Sequence, residues 1–229
     1  LRAELESEHR KVYAAPYLFL VDSRELWQHA ISILAKEEDA YTVGFGLGLL
    51  PLKALPLIKG ARDEAKRPVG FDIAALLCVT RAAERGEVLD EDALSCIRFD
   101  IGGDLEWTHL MPLLRKVLAE LPREQGEKLL LQGLASADKK IFARAFSFIA
   151  AHPAQAVMES AMEGLIAREE ELGNDEINEI KRGLQYLPND YMNERRAYVK
   201  WLMSNGAGAK LRFAFETAID NAGVFQEIQ

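Results

Sequence analysis

From Arg24 to Asn221 apolar residues recur at three- and four-residue spacing, and they almost never alternate one by one. That pattern puts an apolar stripe on one side of an α-helix and fits no strand. No Asn-Gly or Asp-Gly pair sits between alternating residues, and no β-branched run occurs. The spacing predicts helices over 24–37, 71–85, 105–120, 123–135, 137–151, 153–172, 175–187, 190–204 and 207–221, with a short one over 90–99. Asp22 and Ser23 supply cap oxygens for the helix over 24–37, Asp104 for that over 105–120, and Gly173-Asn174 a stop. The longest apolar run, Tyr41 to Ile58, is interrupted by three glycines, two prolines and Lys53. It is too broken for a membrane span, which needs about 20 apolar residues. It reads instead as one buried helix, a break at Pro51 and a second helix. Short joints make neighbouring helices antiparallel, so an all-α chain of helical hairpins is expected.

At 229 residues the chain can bury a sizeable core without disulfide or metal. Cys78 and Cys96 both fall inside apolar helical patterns, and buried reduced thiols are expected. Lys and Arg number 28 against 36 Asp and Glu, a net charge of −8. A chain of that sign is a poor general nucleic-acid binder, because counterion displacement from phosphates needs a basic face. Arg195, Arg196, Lys200, Lys210 and Arg212 form at most a local stripe. A cytoplasmic protein with no membrane segment is expected. The start at Leu1 leaves upstream residues, a removed signal peptide among them, open.

The second half carries an internal repetition. Asp138 precedes Arg144 by six residues at the start of a predicted helix. Asp175 precedes Lys181 in the same layout, 37 residues later. Asn205 to Arg212 is a looser third copy. This arrangement resembles the HEAT family of α-helical repeats, clearest over 122–221. Leu55-Pro56-Leu57-Ile58 and Met111-Pro112-Leu113-Leu114 resemble the family's proline-bearing first helix. The resemblance implies antiparallel helix pairs of roughly 40 residues, stacked as a short α-solenoid. The half before 122 is less regular, within a single all-helical domain. It also implies a ladder in which Asp138, Arg144, Asp175 and Lys181 link neighbouring repeats.

Candidate chemistry is sparse. Glu6…His9 and Glu106…His109 have the spacing of di-iron helices, but the first lies at the chain start and Glu106 in a first helical turn. No histidine precedes a glutamate, so the His-Glu iron sites of deoxyhypusine hydroxylases, which are HEAT-like, are lacking. Gly44-Phe45-Gly46-Leu47-Gly48 lacks the spacing and the lysine of phosphate loops and reads as close helix packing. No GxSxG or HExxH motif occurs. Neither a cofactor nor a metal is expected. By its resemblance the chain is a protein-binding scaffold, with a basic protein or peptide as partner. The acidic clusters Glu37-Glu38-Asp39, Asp90-Glu91-Asp92 and Glu169-Glu170-Glu171 would attract it. Trp27, Trp107 and Trp201 are the hot-spot candidates if exposed, and core residues otherwise. The alternatives are a HEAT-like enzyme, of the alkyl-base DNA glycosylase or bilin-lyase type, and an acidic immunity or inhibitor protein.

Overall fold

The computed structural model describes residues 15–20, 22–185 and Leu211, and among them every regular element is helical. The predicted helices over 190–204 and 207–221 lie outside the described residues, apart from Leu211. In chain order the α-helices are α1 Arg24–Leu34, α2 Ala40–Leu47, α3 Leu55–Ala61, α4 Pro68–Glu84, α5 Glu91–Leu94 and α6 Asp104–Glu120. They continue with α7 Arg123–Leu134, α8 Lys139–Phe146, α9 Gln155–Ala167 and α10 Asn174–Gln185. No helix among the described residues is long and apolar enough to cross a membrane. The chain divides into two compact units, residues 1–120 and 121–229.

In the first unit, side-chain caps fix where helices start. Ser23 Oγ accepts the Leu26 N–H, Asp39 accepts the Thr42 N–H and hydroxyl, and Asp90 accepts the Ala93 N–H. Each meets a backbone donor that the helix itself leaves unsatisfied. At α6 the expectation needs correction. The helix opens on Gly103, whose N–H donates to Glu106 Oε2 while its carbonyl accepts from Trp107, and Asp104 is already helical. Pro51 breaks the long apolar run as expected, and α3 follows a 3₁₀ turn at Leu52–Ala54.

The centre of this unit is the contact of α2 with α4. A Cβ on Gly44 would lie 2.6 Å from Ile73 Cγ2, and one on Gly48 2.7 Å from Leu77 Cβ. From the other side, a Cβ on Gly70 would lie 2.8 Å from Val43 Cβ. The two backbones approach closely because glycine carries no side chain at all three points. Residues 73–80 of α4 are buried without a break, and α3 and α6 also pack on this helix. Asp72 near its start accepts from Arg62 Nε and Nη2, at 2.7 and 3.0 Å, and lies 3.9 Å from Arg98. This carboxylate ties α4 to the end of α3 and to the loop beyond α5. The geometry is a bidentate fork, the strong form of the interaction.

In the second unit α7 packs on α8 and α9, and α8 packs on α10. First helices therefore stack on first and second on second, which is compatible with a helical solenoid. Two contacts fix the register of α8 against α10. Lys139 Nζ lies 3.8 Å from Glu176 Oε2, and a Cβ on Gly183 would lie 2.4 Å from the Phe146 carbonyl oxygen. One contact joins the starts of the two helices and the other joins their ends, so the helices run parallel. In both, the partners stand 37 residues apart, the interval between Asp138 and Asp175. The helix predicted over 137–151 ends at Phe146, followed by a 3₁₀ turn at Ile149–Ala151. The end falls where Gly183 presses against Phe146 and Ser147, and Ser147 Oγ donates to the Arg144 carbonyl. Phe142, Phe146, Phe148 and Ile149 fill the core, each contributing roughly 1.5–3 kcal/mol by burial.

The glycine contacts give opposite outcomes for the same substitution. Gly48→Ala should lower the unfolding free energy by about 1–3 kcal/mol through overpacking against Leu77. Gly60→Ala in α3, where a Cβ meets nothing within 4 Å, should raise it by up to about 1 kcal/mol through helix propensity. Urea unfolding of the two variants measures both signs.

Candidate partner-binding surface

Two of the three tryptophans proposed as contact residues, Trp27 and Trp107, are in the core. Trp27 is 5% exposed and Trp107 2%, so neither ring can be a surface anchor; Trp201 lies outside the described residues. Lys53 Nζ stands 5.2 Å above the Trp27 ring and pairs with Asp22 at 2.6 Å, sealing that ring from solvent. Among the described residues the exposed large apolar side chains are Tyr17, Phe45, Leu49 and Val88.

The ladder residues have separate fates. Asp138 caps α8, accepting from the Lys140 and Ile141 N–H groups at 2.8 and 3.4 Å. Arg144, in the last turn of the same helix, is 2% exposed. Asp175 is exposed in the first turn of α10 and Lys181 is half-buried. Lys139, one residue after the cap, crosses between copies. It reaches Glu176 and donates to the Glu171 carbonyl at 3.0 Å.

Residues 15–185 carry 28 Asp and Glu against 20 Lys and Arg, the whole of the net charge of −8. Many of those cations are tied down internally. Lys59, Arg62, Lys66, Arg85, Arg98, Lys116, Arg123 and Arg182 stand in ion pairs. Arg67 and Arg81 donate to the carbonyls of Glu38 and Gly48. Arg168 turns inward, donating to the Ser136 carbonyl at 2.7 Å with its guanidinium 4.8 Å from the Phe142 ring centre. Arg168 is half-buried, and the turn that follows it carries Glu169, Glu170 and Glu171, the last two exposed. The Glu37-Glu38-Asp39 cluster is used structurally. Glu37 accepts loop N–H groups, Glu38 pairs with Lys66, and the Thr42 hydroxyl and amide hold the Asp39 carboxyl below its usual range. The Asp90-Glu91-Asp92 cluster is exposed on all three residues.

Ser95 Oγ lies 3.2 Å from Lys59 Nζ, a spacing that suits a nucleophile and its base. The chemistry does not follow, because the hydrogen bond to Asp92 raises the Lys59 pKa and keeps the amine protonated. Ser95 in turn donates its hydroxyl to the Asp92 carbonyl at 2.6 Å. The cluster clamps α3 to α5. Cys78, fully buried, donates to the Leu50 carbonyl, and burial pushes its thiol up to about 12; burial also raises Cys96. His109 meets the Tyr41 ring edge-on with centroids 5.0 Å apart. Burial, with Glu106 and Asp39 nearby, pushes the Tyr41 phenol up. His152 lies over Gly126, where a Cβ would be 2.0 Å from its Nε2. His29 is exposed, and the Glu6…His9 pair and the basic stripe at 195–212 lie outside the described residues. Among the described residues no three His, Cys, Asp or Glu side chains gather as a metal site. Comparison with family models, with curated proteins and with solved structures returned no match to this chain.

The thiols carry a prediction with a definite sign. The Cys78 pKa is raised from an ordinary value near 9 to about 12, so the fold holds the thiol protonated while the unfolded chain ionises. Its contribution to stability is complete below pH 9 and is lost as the pH rises toward 12. The difference in unfolding free energy between the protein and Cys78→Ala should therefore shrink over that interval. Chemical denaturation at a series of pH values checks it, and a difference that stays flat or grows contradicts the burial.

Proposed function

We propose that this chain is a non-enzymatic binding module, a short HEAT-like helical stack that recognises a basic protein or peptide surface. The observation that carries the reading is the fate of the charges. Acid exceeds base over residues 15–185 as a whole, and most of the arginines and lysines are bound to carboxylates or backbone carbonyls of the same chain. The charge offered to a partner is therefore carboxylate, at Asp90-Glu91-Asp92 and at Glu170-Glu171 above all. Such a surface speeds encounter with a cation-rich partner and repels nucleic acid.

The repeat reading is supported by the 37-residue register in which α8 and α10 stack, with an aspartate at the start of each copy. Stacked helices hold their core between layers and leave a continuous outer surface for contact. The ladder through Asp138, Arg144, Asp175 and Lys181 belongs to the same proposal, as does a cytoplasmic setting.

Electrostatic recognition has a measurable signature. Capture from the source lysate should retain a cation-rich protein at about 50 mM salt and lose it at about 500 mM, where the Debye length falls to a few ångströms. The isolated pair should weaken by tenfold or more over that range. Retention of an acidic or neutral partner, with affinity unchanged by salt, would contradict the reading.

A further inference from the structure

The loop joining α4 to α5, residues 85–90, carries a side chain that the fold does not use. Gly86 ends α4 in the left-handed conformation at φ 71°. Its N–H donates to the Ala83 carbonyl and that of Glu87 to the Ala82 carbonyl, a closed helix end. Three residues on, Leu89 has returned to the core, and Asp90 caps α5. Both ends of the loop are thus fixed. Between them Val88 stands 92% exposed, the most exposed of the large apolar side chains described. The N–H and C=O groups of Val88 and Leu89 make no hydrogen bond to a described residue. The segment has no regular structure, and it presents unbonded main-chain groups and an apolar side chain in water.

The charges around it are acidic in balance. Glu84, Glu87, Asp90, Glu91 and Asp92 flank the loop against Arg85 alone. Lys116 pairs with Glu84, Arg85 with Glu87 and Lys59 with Asp92. Asp90 uses one oxygen as a cap, and Glu91 makes no ion pair with a described residue. A second copy of this chain would bring the same carboxylates against this loop and be repelled. An extended segment bearing lysine or arginine is complementary to it.

We propose that Val88 is the anchor by which the protein holds an extended basic segment of its partner. The segment's main chain pairs with the unbonded N–H and C=O groups of residues 88 and 89. One aliphatic side chain packs on Val88, and flanking cations meet Glu87, Asp90 and Glu91. A loop fixed at both ends loses little conformational freedom on binding, which favours affinity from a small contact. The proposal rests on the acidic-surface reading given above and names the place on that surface.

The test uses the full chain and an array of ten-residue peptides that vary in the number of Lys or Arg and of aliphatic residues. Three proteins are compared: the natural chain, Val88→Ser and Val88→Ile. The natural chain should be retained on peptides that combine several cations with an aliphatic residue. Val88→Ser should weaken that binding tenfold or more, Val88→Ile should preserve it, and all three should share one melting temperature because the side chain lies in solvent. Equal binding of basic peptides by Val88→Ser and the natural chain would overturn the anchor and leave the acidic-surface reading standing. A natural chain that holds no basic peptide, or prefers acidic ones, would overturn both.

Discussion

Where Gly44, Gly48 and Gly70 meet Ile73, Leu77 and Val43, two helices touch through backbone on one side and side chain on the other. The rest of the first unit follows from that closeness. With α2 drawn in, α4 is covered along 73–80 and still leaves flanks for α3 and α6. The Asp72 carboxylate, Arg62 and Arg98 then lock the elements that α4 has gathered. Burial pushes the Arg62 guanidinium no closer to neutrality, since the Asp72 hydrogen bonds outweigh it and raise its pKa. The second unit uses the same device at Gly183, where α10 rests on the carbonyl end of α8. A side chain at either contact would push the helices apart and expose core on both.

Much of this was legible in the sequence because it depends on local chemistry. The helical period, the cap at Ser23 and the break at Pro51 are short-range signals, and the structure keeps all three. Gly44 and Gly48 also read correctly as points of close helix packing. Interactions between distant residues were not legible. Nothing in the local pattern joins Arg62 to Asp72 and Arg98, or lays His152 over Gly126. The early end of α8 was missed for the same reason, since its cause lies in α10.

The candidate site was the least legible part. Periodicity marks which residues turn inward, and it marks Trp27 and Trp107 without telling core from contact; the structure places both in the core. Val88 gave no signal, being a single apolar residue between two turns. Gly86 was the available clue, because a glycine just past a helix end sets where the following residue points. Net charge was readable from composition. Its distribution was not, because that depends on which cations the fold ties to its own carbonyls and carboxylates.

If the glycine contact is the point on which the first unit depends, α4 must be its last element to open. Native-state hydrogen exchange measures this directly. The amides of Ile73 to Val79 should exchange only through global unfolding, with free energies that fall with denaturant as steeply as the unfolding transition. Those of the short helix α3 should open at lower cost. Exchange of the α4 amides by local opening, insensitive to denaturant and no slower than in α3, would contradict the account.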